Sequence, residues 1–275
     1  MSGILYVVGT PIGNLGDFSP RAIEILNEVD FIAAEDTRVT IKLLNKFSID
    51  TKMVSYHEHN HKTRDDQIIS RILSGENCAL VTDAGMPAVS DPGEDLVRLA
   101  HENGITVNSV PGPSAVITAL AISGMPSGRF SFEGFLSTAK ISRKAHLENL
   151  KDDARTLIFY EAPHKLISTL TDMLKVFGDR EIALCKELTK LHETVIHTTF
   201  TKALESFEAS APKGEYVLIV SGAKKAEENE MTLEDAVLLA KKSVEEGNPP
   251  SLAAKLAASK SGIRKSDIYK ALIEE

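Results

Sequence analysis

The feature that most constrains this chain is an alternation of short apolar runs, polar or glycine- and proline-bearing loops, and stretches with helical spacing. ILYVVG (4–9), FIAA (31–34), KMVSY (52–56), CALVT (78–82) and TVNSV (106–110) are the runs. The most apolar of them fit strands buried on both faces rather than strands with one wet face. Between them the spacing predicts helices over 20–28, 40–47, from Thr63 to just before Gly75, 93–103 and 114–123. Ser19 can cap the first of these, and Pro20 suits its first position because the missing N–H has no partner there anyway. Gly75 and Gly104 stop two others as C′ glycines do. Strands alternating with helices predict an α/β fold with a mostly parallel sheet and ligand-binding loops at its carboxyl edge.

After SGMPSGR (123–129) the pattern changes. FSFEGF (130–135), TLIFY (156–160), EIALCKEL (181–188), TVIHTTF (194–200) and EYVLIVS (215–221) read as strands, with helices only over 141–151 and 164–177. Strands that follow one another without a helix between them imply antiparallel pairing and a mixed α+β lobe. A polar linker, GAKKAEENE (222–230), precedes a helix capped by Thr232 and ending at Gly247. SLAAKLAASKSGIRKSDIYKALIE then supplies two short helices around Ser261 and Gly262. The expected organisation is 1–123 as an N-terminal α/β lobe, 124–222 as an α+β lobe, and 223–275 as a linker with a helical tail.

A chain of 275 residues can bury a core without crosslinks, and 43% hydrophobic with 25% charged residues excludes a disordered or fibrous chain. No apolar run approaches the roughly 20 residues of a membrane-spanning helix, and MSGILYVVGTPIGN lacks the basic segment of a secretory signal. Cys78 and Cys185 each sit in an apolar run, which fits free buried thiols, a reducing compartment and a cytoplasmic location away from membranes. A net charge of −8 argues against a nucleic-acid coat over the whole surface but leaves room for a local basic face. Residues 251–271 carry a net of +4, whereas the stretch just before them is acidic.

Chemistry has to come from strand-end loops, because P-loop, GxGxxG, HExxH, CxxC and GxSxG signatures are all absent. GTPIGNLGDFS (9–19) brings glycines that admit close approach of a ligand to the backbone, or simply make a tight connection. AEDTR (34–38) puts Glu35, Asp36 and Arg38 directly after a buried strand, either as acid, base and anion clamp or as the charged start of a helix. TDAGMPAVSDPG (82–93), stiffened by its prolines, offers Asp83 to an amine or hydroxyl. VPGPSA (110–115) brings Ser114 and backbone N–H groups to a helix start. His57, His59 and His61 alternate as metal ligands can, yet no cysteine accompanies them; solvated or substrate-contacting histidines fit better, and no metal is expected. FYEAPHK (159–165) and CKELTKLHE (185–193) place Glu161, Lys186, Glu187 and Lys190 just past strands of the second lobe.

In their order and spacing, VGTPIGN, AEDTR, HEHN, TDAGMPAVSDPG, PGPSA, EGF, FYEAPH, KELTK and GEYVLIV resemble the ribosomal small-subunit RNA 2′-O-methyltransferases of the tetrapyrrole-methylase superfamily, over nearly all of residues 4–221. The resemblance implies a bilobal class III methyltransferase with a small helical C-terminal domain, a homodimer, and S-adenosylmethionine as cofactor. It implies as substrate the ribose 2′-hydroxyl of the decoding-centre cytidine, position 1402 of 16S rRNA, in the 30S subunit. By the same resemblance the cofactor touches Pro11, Ile12, Asp83, Gly85, Met86, Pro111, Gly112, Ser114, Ala115, Tyr160 and Leu188. A ribose hydroxyl is a poor nucleophile and needs a base or a polarising cation. Glu35, Asp36, His57, His59 and Glu187 are the candidate bases, with Lys186 as the cation. Phosphate contacts are expected from Arg38, His57, Arg143, Lys144, Lys260 and Lys265. The alternative is a sister enzyme that methylates a tetrapyrrole or another small substrate, against which the basic tail argues.

Overall fold

The computed structural model describes residues 2–57, 61–224 and 231–274. The chain forms two compact units, 1–222 and 223–275. In the first, β1 (Ile4–Val8), β2 (Phe31–Ala34), β3 (Met53–Ser55), β4 (Cys78–Val81) and β5 (Thr106–Val110) make a wholly parallel sheet in the order β3-β2-β4-β1-β5. The helices that follow these strands are α1 (Pro20–Glu28), α2 (Thr37–Lys46), α3 (His61–Leu73), α4 (Glu94–Glu102) and α5 (Ala115–Ile122). Successive strand residues point to opposite faces. Phe31, Ala33, Cys78 and Leu80 therefore pack with Ile68, Ile72, Leu96 and Ala100 of α3 and α4, whereas Ile32, Ala34, Ala79 and Val81 pack with Ala22, Leu26 and Leu44 of α1 and α2. Covering both faces is what makes these strands apolar at every position.

The second sheet contains β6 (Phe130–Phe135), β7 (Thr156–Glu161), β8 (Glu181–Lys186), β9 (Thr194–Thr199) and β10 (Tyr216–Val220), in the order β6-β7-β10-β8-β9. Only β6 and β7 pair in parallel; the other neighbours are antiparallel. One face packs against α6 (Lys140–Leu150), α7 (Pro163–Phe177) and α8 (Phe200–Ala209) through Leu147, Leu166, Leu170 and Phe200. The other face, with Ile158, Ala183, Cys185, Val217 and Ile219, receives Val116, Ala119 and Leu120 of α5. Thus α5 follows the first sheet in sequence but packs on the second, and Ile12 from the loop after β1 joins the same cluster.

The strand read through to Phe200 stops at Thr199, whose hydroxyl caps α8. Phe200, Ala203, Leu204 and Phe207 give α8 an apolar stripe at helical spacing that faces the core. Both thiols are free and buried, and burial pushes Cys78 up to about 12 and Cys185 to about 11.

The second unit holds α9 (Leu233–Glu245), α10 (Pro250–Ser261) and α11 (Lys265–Glu274) around Ala236, Ala240, Ala253, Ala254, Ala257 and Ile268. Thr232 and Asp235 close a capping box on α9, and Gly262 ends α10 with a left-handed φ of 72°. Among the described residues no helix is long and apolar enough to cross a membrane.

Candidate active site

Parallel pairing brings the carboxyl ends of β2, β4, β1 and β5 to one edge, in that order. From β1 the chain crosses over β4 to β2, whereas from β4 it crosses over β1 to β5, so the connections leaving these two adjacent strands run on opposite faces of the sheet, with α1 on one and α4 on the other. Such a change of face between adjacent strands opens a crevice at their carboxyl ends. There Thr10 N donates to Gly85 O at 2.9 Å and Gly85 N returns a bond to Thr10 O at 3.1 Å. The Thr10 hydroxyl donates to the Thr82 carbonyl at 3.0 Å.

On the β5 side, two glycines let the loops touch. A Cβ on Gly112 would stand 2.7 Å from Gly9 Cα, and one on Gly9 would meet Met86 Sδ at 2.6 Å. Gly85 has φ 89°, and its missing Cβ would face Ile12 Cγ2 at 3.5 Å and Pro113 O at 3.7 Å. The loops carrying Pro11, Ile12, Gly85, Met86, Pro111 and Gly112 therefore meet around one crevice, next to Ser114, which starts α5 with no side-chain cap bond. Ile12, Ala115, Tyr160 and Leu188 belong to one apolar cluster drawn from both lobes. The Tyr160 ring meets Phe132 edge-on at 5.0 Å and Phe135 at 5.4 Å.

Acids gather on the β2 side. Asp83 N donates to Glu35 Oε2 and Asp36 N donates to Asp83 Oδ1, each at 3.2 Å, a reciprocal clamp between neighbouring strand ends. Burial raises the proton affinity of Glu35 and of Asp83, and neighbouring carboxylates add to it. His57 lies close enough to Glu35 to oppose that rise. Asp36 is different: it caps α2 and pairs with Arg38 at 2.6 Å, which holds its carboxyl at about 2.

Asp91 belongs to this acidic group and was not singled out from sequence, although it lies in the SDPG end of the loop after β4. Burial, then the Glu35 and Asp83 carboxylates, push it up to about 6. It borders a cavity of about 280 Å³ shared with Tyr56 and Glu94. The loop is strained, with φ of 65° at both Ala88 and Ser90. Ser90 Oγ lies 3.1 Å from where a Cβ of Gly134 would stand, so the loop reaches the second lobe. Nearby, the buried Thr82 hydroxyl has no hydrogen-bond partner among the described residues.

A pH-dependent stability follows. The Asp91 carboxyl rises from an ordinary 3.8 to about 6, so the native state holds an extra proton between those values. Its favourable contribution is full below the lower value and is lost as pH climbs through the upper one. Asp91→Asn is therefore expected to stabilise the protein at pH 7.5 by about 1 kcal/mol, discounted for partial exposure, and to give no gain near pH 4. Thermal melts at the two pH values check this.

In the second lobe, Glu187 and Thr189 have φ of 52° and 64° in the turn after β8. Glu187 Oε1 accepts from Glu215 N at 2.9 Å and from Lys190 Nζ at 3.2 Å, which holds its carboxyl below the usual range. Lys190 Nζ also reaches Glu215 Oε2 at 2.9 Å. This turn abuts the loop after β1, since a Cβ on Gly13 would lie 2.7 Å from Lys190 Cγ. Glu187 thus positions the turn. Lys186 ends β8, half-buried.

Other expectations need correction. Glu161, read as facing the cleft, is buried and accepts from Thr169 Oγ1 at 2.5 Å and Ala162 N at 2.9 Å, so it fastens α7. Arg143, read as a phosphate contact, is buried and paired with Asp172 at 2.5 Å, because its face of α6 turns toward α7. Lys144 is exposed, as are Lys260 and Lys265 in the second unit, where Lys265 Nζ donates to Ser251 Oγ at 3.0 Å. Arg38 is exposed but tied to Asp36. His59 lies outside the described residues, as does the side chain of His61. Among the described residues no three His, Cys, Asp or Glu side chains group as metal ligands do.

The donor set suits a ligand of mixed character. Glycine backbone admits close approach, Ile12, Ala115 and Leu188 make an apolar wall, and Glu35, Asp83 and Asp91 favour a positive centre. The unsatisfied Thr82 hydroxyl lies beside Asp83 in the same loop. S-adenosylmethionine, with its adenosine and cationic sulfonium, has that character.

The sequence profile of the tetrapyrrole (corrin/porphyrin) methylases matches residues 4–204. The ribosomal RNA small subunit methyltransferase I of Xylella fastidiosa is 47% identical over 270 residues, covering 97% of this chain and 98% of that protein. The protein of the same name from Thermotoga maritima is 46% identical over 220 residues, covering 80% of this chain and 99% of its own length. Among solved structures, uroporphyrin-III-C-methyltransferase from Thermus thermophilus matches with a TM-score of 0.56 and 17% identity, over 79% of this chain and 94% of its own, a likeness of fold. The chain therefore belongs to the tetrapyrrole (corrin/porphyrin) methylase family, and within it to the group of the ribosomal RNA small subunit methyltransferases I.

Proposed function

We propose that the protein is an S-adenosylmethionine-dependent methyltransferase of small-subunit ribosomal RNA, acting on the ribose 2′-hydroxyl of cytidine 1402 of 16S rRNA in the 30S subunit. The observation that carries this reading most is the 47% identity to the Xylella fastidiosa methyltransferase over almost the whole of both chains. The glycine-walled, acid-flanked crevice agrees with it. A cytoplasmic homodimer is part of the same reading.

When bound, S-adenosylmethionine supplies an electrophilic methyl group on a sulfonium. The loops holding Pro11, Ile12, Gly85, Met86, Pro111, Gly112, Ser114 and Ala115 would grip it through backbone, with Tyr160 and Leu188 completing an apolar wall that excludes water. Asp83 and its acidic neighbours would favour the positive charge before transfer and lose that attraction afterwards, which assists release of the neutral thioether.

The acceptor hydroxyl must give up a proton as its oxygen attacks. Asp36 and Glu187 are held in ion pairs and are weak bases. Glu35 has a raised proton affinity and stands at the crevice edge, so the proton-accepting role falls to it. Lys186 would polarise the hydroxyl. Arg38, His57, Lys144, Lys260 and Lys265 would meet phosphates, with no sequence information carried by those contacts.

Nuclease digestion of 30S subunits incubated with the enzyme tests the acceptor. The expected product is 2′-O-methylcytidine at position 1402 alone. Methyl on a base, or on a tetrapyrrole offered in its place, contradicts the proposal.

A further inference from the structure

We propose that the groove between α6 and α7 is a docking track for the phosphate backbone of folded RNA, an inference that rests on the rRNA reading above. The groove encloses about 550 Å³ and is bordered by Lys140, Arg143, Lys144 and Glu148 of α6 and by Asp172 and Lys175 of α7. Four cations thus face two acids in a chain whose net charge is −8.

Its floor and its rim do different work. The Arg143 side chain, only 10% exposed, pairs with Asp172 at 2.5 Å and pins the two helices together. Leu147, Leu166 and Leu170 anchor both helices on the second sheet, so the groove is a fixed shape. Lys140, Lys144 and Lys175 stand exposed on the rim, with no ion-pair partner among the described residues. Lys140 and Lys144 are one turn apart, about 6 Å along the helix axis. Unpaired ammonium groups gathered in one groove repel one another unless an anion meets them.

The chemistry points to backbone phosphates. The one arginine is buried against Asp172 and so does not reach out to a ligand, and the Ser168 and Thr171 hydroxyls donate to the Lys165 and Ile167 carbonyls at 2.8 Å. What remains for a ligand is three flexible point charges and no bidentate group of the kind that reads base edges. Such a surface binds through charge and shape, as contacts that position RNA do.

The test replaces Lys140, Lys144 and Lys175 together by alanine in the full chain. Binding to transcribed 16S rRNA is measured from about 50 to about 200 mM salt. Each lost phosphate contact removes roughly 0.7–0.9 from the slope of log affinity against log salt, so the slope is expected to fall by about 2–3 and affinity at low salt by at least about 10-fold. Melting temperature and calorimetric affinity for S-adenosylmethionine should be unchanged, and the triple Lys→Arg variant should keep the wild-type slope. An alanine variant that binds rRNA with wild-type affinity and slope overturns the inference and leaves the rRNA reading intact. Wild-type protein that binds no rRNA overturns both. Loss of binding to assembled 30S subunits with unchanged binding to naked rRNA would assign the groove to an acidic protein partner, and also overturns it.

Discussion

Gly112→Ala is expected to cost about 3 kcal/mol of stability and to abolish binding of S-adenosylmethionine. The new methyl group would lie 2.7 Å from Gly9 Cα, 2.8 Å from Gly9 C and 2.8 Å from Gly9 O. These are backbone atoms just past the end of β1, which lies between β4 and β5 inside the sheet, and no side chain can swing aside to relieve them. The backbone itself is held, since Gly9 N donates to Val110 O at 3.1 Å where β1 and β5 pair. Overpacking typically costs about 1–3 kcal/mol, and a backbone clash belongs at the upper end. Neither glycine has a left-handed φ, so the effect is steric alone. Gly128→Ala, which meets nothing within 4 Å, provides the control and should be close to neutral. Urea midpoints report the stability, and calorimetric titration of the surviving folded protein reports the cofactor. An unchanged midpoint and affinity would mean that the loops after β1 and β5 do not need their close approach.

Glu35→Gln is expected to lower the methyl-transfer rate constant by about 10²-fold, the lower end of general-base contributions. The amide keeps an oxygen that can accept from Asp83 N, now at 3.2 Å, so the clamp between β2 and β4 survives and cofactor affinity should change little. What disappears is the proton-accepting group. Burial raises the Glu35 carboxyl, so in the wild type the rate falls as pH drops through that raised value and the carboxylate becomes protonated. The Gln variant should lack this acid limb. A variant that keeps both the rate and the limb would remove Glu35 from proton transfer and turn attention to Asp91.

Much of the fold was legible because the chemistry of burial writes it locally. Phe31–Ala34, Thr106–Val110 and Phe130–Phe135 have the bounds expected from their apolar runs. The α8 helix was not read because its first turn follows a threonine-rich strand without a break, and only the packing of Phe200, Ala203 and Phe207 reveals its period. The crevice loops were visible through their glycines and prolines. The pairing of Glu35 with Asp83 was not, because it depends on β4 inserting between β2 and β1, an order no local pattern encodes. The same holds for Asp91, whose raised proton affinity comes first from burial and then from two carboxylates 56 and 8 positions away in the sequence. Arg143 reads as a surface cation until its partner on another helix, Asp172, is seen.

Transfer of radiolabel from methyl-labelled S-adenosylmethionine to 30S subunits that lack the modification tests the central claim most directly. The expected result is label in the RNA, close to one methyl group per subunit, lost in Gly112→Ala and slowed in Glu35→Gln. Protein that binds the cofactor yet leaves both 30S subunits and free rRNA unlabelled would contradict the claim.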